Sequence, residues 1–219
     1  MPGSLGSLEV RLPERGSRSR RARVTLRTPG LGEEALEVPV AVGRRLSAKG
    51  APEPSTREEL LEAVGALGRS CARARVADLL GRRDYTSSEL MDKLRADGYA
   101  DDLVCETLSW ARDCGLVDDA RYGAAFARSK ALAGWGRVKV ERELERRGVR
   151  VDEVEGWPEE FFDDDSERSR ALELASRRRL TGKNDYEKIM RFLCGRGFPY
   201  GVSAEVAREV AGRSARSLT

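Results

Sequence analysis

The chain contains no histidine. That absence removes the commonest general base, the Ser-His and Cys-His nucleophile pairs, and zinc sites built on imidazole. The four cysteines, Cys71, Cys105, Cys114 and Cys194, include no Cys-x-x-Cys pair. Cys105 and Cys114 sit on one predicted helix at a spacing poorly suited to a metal, so the four read as buried or half-buried thiols in a reducing compartment. No apolar run approaches the ~20 residues of a membrane span, and the first residues lack the apolar centre of a signal peptide; the expected location is cytoplasmic. No phosphate loop of the G-x-x-x-x-G-K-S/T form occurs. Neither a metal nor a cofactor is expected. Aromatic residues make up only 6% and the formal net charge is +3, so a polyanionic partner has to be argued from where the cations sit.

What the 219 residues do contain is a repeated stretch. Leu90, Leu94, Gly98 and Tyr99 have the form apolar, three residues, Leu, three residues, Gly, apolar. Val140, Leu144, Gly148 and Val149 repeat it, as do Ile189, Leu193, Gly197 and Phe198. Apolar residues four apart share one helical face. A Gly four positions after the second ends the helix in the left-handed conformation that glycine adopts cheaply, and the next apolar residue folds back onto the last turn. Recurrence at a near-constant period marks a tandem repeat.

In chain order, residues 1–21 are rich in Gly, Ser, Pro and Arg. Arg15, Arg18, Arg20, Arg21 and Arg23 suggest a flexible basic loop or arm, and Leu8 to Leu12 alternates like a short strand. Arg23 to Arg27 alternates again, Thr28-Pro29-Gly30-Leu31-Gly32 reads as a turn, and Ala35 to Val38 resumes extended chain: a β-hairpin. Pro39 opens a short helix closed by Lys49-Gly50, and Ala51-Pro52-Glu53-Pro54 is a linker. Thr56 and Glu59 fit a capping box. From about residue 70 the pattern is helical throughout. The predicted fold is mainly all-α: three tandem three-helix repeats in an elongated array, preceded by a distinct β-hairpin/helix module. The predicted divisions are 1–54 (basic arm plus module), 55–69 (connecting helix), 70–117, 118–164, and 165–219 (third repeat and tail). The third helix of the middle repeat is the weakest, because Gly156-Trp157-Pro158 interrupts it.

The charge pattern supplies the candidate site. On helix 137–147, Val140 and Leu144 face inward while Lys139, Arg142 and Arg146 fall on the opposite side. On helix 188–196, Lys188 and Arg191 occupy the repeat-equivalent outer positions, with Arg177, Arg178, Arg179 and Lys183 nearby. The predicted partner face is therefore Lys139, Arg142, Arg146, Lys188, Arg191, Arg177, Arg178 and Lys183. Any charged helix needs a solvated face; repetition at the repeat period brings the partner-face reading level with that one. The acidic block Glu159, Glu160, Asp163, Asp164, Asp165 and Glu167 repels phosphate and suits basic protein surface. Trp110, Trp135 and Trp157 read as packing anchors, since no basic/aromatic alternation surrounds them.

Gly115-Leu116-Val117-Asp118-Asp119-Ala120-Arg121-Tyr122, followed by Phe126, resembles the G-L-[LIV]-D-D-x-R-[FY] signature of the RecX regulatory family. Gly136-Arg137-Val138-Lys139-Val140 with Glu143, Leu144, Gly148 and Val149 is similar to the second-repeat signature. Arg191-Phe192-Leu193 with Arg196-Gly197-Phe198 and Tyr200 is similar to the third. The resemblance covers about residues 70–212. It implies three tandem three-helix repeats in an elongated, curved, non-enzymatic molecule. It also implies binding to the RecA recombinase in the groove of its DNA filament, where filament extension, ATP hydrolysis and strand exchange are blocked. The expected molecule is a monomer. The alternative is a stand-alone DNA-binding protein using the basic helix faces, with single- or double-stranded DNA as partner.

Overall fold

The computed structural model describes residues 7–29, 32–51 and 53–217, with side chains to residue 213. It divides into two compact units, Met1–Val117 and Asp118–Thr219.

The first unit begins with strands β1 (Ser7–Arg11), β2 (Arg21–Thr28) and β3 (Gly32–Pro39), paired antiparallel in that order. Leu8 lies opposite Leu26, Val10 opposite Val24, and Val24 opposite Leu36, so alternation puts the apolar side chains on one face. The expected hairpin is thus a three-stranded meander. Gly30 and Leu31 of its expected turn, like Pro52 of the expected linker, lie outside the described residues. Of the two readings of the arginine-rich stretch, loop or arm, residues 12–20 form a loop joining two paired strands. Arg23 lies in β2 as expected, and the strand starts earlier, at Arg21, with Ala22 and Val24 buried. Pro39 ends β3 in extended conformation and precedes helix α1 (Val40–Leu46), rather than opening the helix from inside.

Helix α2 runs unbroken over Arg57–Leu80. The expected connecting helix and the first helix of the first repeat are therefore one element, because Gly65 and Gly68 lack a neighbouring proline or left-handed stop to end it. Thr86 caps α3 (Ser87–Ala96) in a complete capping box, and α4 (Asp101–Asp113) comes next. At Thr56 only half of the expected box forms: its hydroxyl accepts from the Glu59 amide, while the Glu59 carboxylate accepts from the Ser55 amide instead. Residues 8–50 are not a module apart from the first repeat. Val24, Leu26, Val42 and Leu46 share one core with Leu60, Val76, Leu90, Leu94 and Leu108.

The second unit contains α5 (Asp119–Leu132), α6 (Arg137–Arg146), a 3-10 turn (Val151–Glu153), α7 (Glu159–Phe162), α8 (Asp164–Ser176), α9 (Asp185–Arg196) and α10 (Tyr200–Ser217). The weak third helix of the middle group is the 3-10 turn and α7, separated by a cis Trp157–Pro158 peptide. Val140, Leu144, Val149, Phe161 and Phe162 form one core; Ile189, Leu193, Phe198, Val206 and Val210 form another. Each fully buried Leu contributes about 1.5–3 kcal/mol.

The three helix stops form as the spacing predicts. Gly98, Gly148 and Gly197 have φ of 92°, 73° and 88°. The amides of Tyr99, Val149 and Phe198 donate back to the carbonyls of Leu94, Leu144 and Leu193 at 3.2, 2.9 and 3.1 Å, the six-to-one bond of a Schellman motif. The three folded-back side chains are buried. The cysteines differ from expectation: Cys71 is buried, but Cys105, Cys114 and Cys194 are exposed, because the inward faces of α4 and α9 are taken by Val104, Leu108, Ala111, Ile189 and Leu193.

Candidate partner-binding face

The candidate face is built on a junction inside the second unit. The first amides of a helix have no partner within it. In α6 they are satisfied by the next three-helix group along the chain. The Gly136 amide donates to the Arg196 carbonyl (2.9 Å) and Val138 to the Gly197 carbonyl (3.0 Å). The Arg137 amide donates to Glu167 Oε1 (2.7 Å). The negative end of α9 thus meets the positive end of α6, an alignment the two helix dipoles favour. The approach is close enough that a Cβ on Gly197 would overlap Lys139, and one on Gly136 would overlap the Gly197 backbone. The Arg196 guanidinium adds a bond to the Gly134 carbonyl (3.3 Å).

This contact places Lys139 and Arg142 beside the end of α9. Together with Cys194, Gly195, Gly197 and Tyr200 they line an open depression of about 480 Å³. Lys139 is half-buried, its ammonium 4.2 Å from the Trp135 ring centroid. Arg142 is exposed, and Tyr200 is 73% exposed.

The other predicted cations do not line this depression. Arg146 lies further along α6 and pairs with Glu143 at 2.6 Å. Lys188 bonds Thr181 Oγ1 (2.6 Å) and pairs with Asp185 at 3.3 Å. Arg177 pairs with Glu173, and Arg178 stacks over Phe192 at 4.7 Å. Among the described residues, no ion pair holds Arg142, Lys183 or Arg191.

The carboxylates around the face respond to these partners. The Arg146 guanidinium, with help from Arg147, holds Glu143 down at about 2, against the burial that raises it. Burial alone would raise Asp185, but the Thr181 and Gly182 amides and Lys188 hold it below its ordinary value. Burial pushes Glu167 up, opposed by the Arg137 amide, and pushes Arg170 down. The acidic block is accordingly not one surface: Glu167 is buried and Asp163 caps α8, which leaves Glu159, Glu160, Asp164 and Asp165 exposed. All three tryptophans pack half-buried against the cores. Among the described residues, no three Cys, Asp or Glu side chains are arranged to hold a metal ion, and no helix is long and apolar enough to cross a membrane.

Sequence reasoning finds Lys139 and Arg142 but not Glu167, Arg196 or the Gly136–Gly197 contact that sets their positions. The spacing of Glu167, Ala171 and Ala175, four apart on one face, is the signal that would have marked Glu167 as inward-facing.

Residues 72–110 match the model of the RecX first three-helix domain, and residues 118–155 match that of the second. The regulatory protein RecX of Chromohalobacter salexigens is 40% identical over 124 residues, which covers 56% of this chain and 81% of that one. The chain belongs to the RecX family. The RecX protein of Pseudomonas putida strain W619 is 32% identical over 141 residues, 62% of this chain and 86% of its own. The fold is shared with the crystal structure of RecX from Lactobacillus salivarius (TM-score 0.59, 20% identity, 66% of this chain and 97% of that one). It is also shared with a second crystal structure of a regulatory protein RecX (TM-score 0.60, 18% identity, 96% and 99%).

Proposed function

We propose that this RecX family protein is a cytoplasmic monomer that binds the RecA recombinase on its DNA filament and restrains filament extension, ATP hydrolysis and strand exchange, without catalysing a reaction itself. The three-helix repeats, taken as 70–117, 118–164 and 165–219, are the docking modules. The observation that carries this reading is the depression beside the α6–α9 junction. It offers an exposed Tyr and a free Arg on a rigid base, and Tyr and Arg are the side chains that most often anchor protein partners. Linked modules binding adjacent filament subunits gain by effective concentration, which favours the filament over free subunits. The helix-face DNA reading is weakened by the pairing of Arg146, Lys188 and Arg177 with carboxylates on their own helices.

The test is RecA ATP turnover on single-stranded DNA with the purified full chain added. Turnover slows, and Y200A/R142E restores it at the same concentration. Unchanged turnover at saturating protein overturns the proposal.

A further inference from the structure

A second concavity lies inside the first unit. A cleft of about 940 Å³, open to solvent, is lined by the β1–β2 connection, α1 and α2. Arg15 and Arg20 reach it from the connection, Arg44 and Arg45 from α1, and Arg75 from α2. Arg75 is held by Asp97 (2.7 Å) and Asp78 (3.0 Å). Among the described residues, no ion pair holds the other four arginines, and Glu14 is the remaining acid on the rim. Gly16 turns the connection with φ of 90°, and the hydroxyls of Ser17 and Ser19 accept from the amides of Ser19 and Arg21, so this segment has a defined course. The Gly98 stop presses against the Arg20 backbone from below.

The geometry points to this cleft as a binding site for the phosphate backbone of single-stranded nucleic acid, a site separate from the recombinase-docking face. Every cation lining it is Arg, whose planar fork bonds phosphate oxygens two at a time. Four arginines without an ion pair line the cleft from two sides, the connection and α1, and an anion held between like charges offsets their repulsion. The volume far exceeds a single phosphate, and exposed Arg18 and Arg21 carry the positive charge beyond the rim, which suits a chain rather than a mononucleotide. A duplex presents its phosphates on a wide convex cylinder, whereas a single strand bends to follow the concave floor of a cleft. Tyr99 is the one aromatic lining residue and its ring is buried, so no exposed platform stacks bases, and binding is sequence-independent.

The test is fluorescence anisotropy of labelled oligo-dT and oligo-dA with the full chain and no recombinase, over a salt series. Both oligonucleotides bind alike. R44Q/R45Q and R15Q/R20Q each weaken binding about tenfold or more, and each lowers the salt slope by about 1.4, two contacts at ~0.7 apiece. K93Q, an exposed cation elsewhere in the unit, binds as wild type. Circular dichroism checks folding; should R44Q/R45Q disturb α1, the loop pair R15Q/R20Q decides. Four results overturn the site. They are binding unchanged in R15Q/R20Q, loss confined to K139E/R142E, saturation by ATP at lower concentration than by oligonucleotide, and capture of poly-glutamate in place of DNA.

Discussion

The first and third copies of the repeated helix stop have the same local geometry and opposite surroundings. Gly98 and Gly197 adopt nearly the same φ, and each is followed by a buried aromatic bonded back to the Leu before it. Against Gly98 rests the connection between two strands, through the Arg20 carbonyl and the Arg21 side chain. Against Gly197 rests the first turn of another helix, at Lys139. The motif therefore dictates a turn with a bare, flat face, and different neighbours have come to use that face.

Substitutions separate the two contributions. Gly197→Ala combines a left-handed conformation unfavourable to Ala, about 1–2 kcal/mol, with an overlap against backbone and Cβ that costs about 1–3 kcal/mol more, so destabilisation of about 2–5 kcal/mol is expected in urea unfolding. Gly136→Ala has ordinary φ and isolates the packing part, about 2–3 kcal/mol. Gly98→Ala meets the Arg20 carbonyl oxygen and the Arg21 side chain, both at 3.0 Å, a milder overlap than the one with Lys139 at Gly197, and costs about 2–3 kcal/mol. Gly115→Ala, with φ of 66° and nothing within 4 Å, costs about 1 kcal/mol, the conformational part alone. Equal losses at Gly197 and Gly115 would show that the neighbour contributes nothing.

The two threonine caps extend the comparison at smaller scale. Thr86 is fully buried in a reciprocal box, whereas Thr56 is part-exposed and caps one way. Thr86→Ala is expected to cost about 1–2 kcal/mol and Thr56→Ala about 0.5–1 kcal/mol by the same measurement.

The smallest effects are pH-dependent and of opposite sign. Glu143 is depressed from 4.5 to about 2 in the folded chain. Its contribution is present above about pH 4.5 and lost as pH falls toward 2, so E143Q flattens the acid limb of urea midpoint against pH. Glu167 is raised above 4.5 by burial. The folded state then holds its proton longer than the unfolded one, and stability falls as pH rises through that higher value. E167Q, which keeps an acceptor for the Arg137 amide, removes that fall. An E167Q profile parallel to wild type would show that burial does not perturb this carboxyl.

The helix stops are legible in the sequence because both parts, the apolar pair and the glycine, are local. What rests against them is not, since Arg20 and Lys139 carry no mark of their partners. The continuity of α2 is missed because a change in composition near residue 70 is not a break. The start of the second strand is missed for the converse reason: the arginine-rich composition masks that Arg21 and Ala22 extend the alternation read from Arg23 onward. Lys139 and Arg142 are readable from helical spacing as outward-facing, yet their shared depression depends on Gly195 and Tyr200, over fifty residues away. Glu167 hides in an acidic run that looks uniformly solvated.

The borrowed start of α6 bears on how the polypeptide is made. A ribosome delivers Gly136 and Val138 well before the Arg196 and Gly197 carbonyls exist. During that interval their amides can bond only to water, and the nascent middle segment lacks its lock. Protein released early, at any point before α9 is translated, would carry that open helix end permanently.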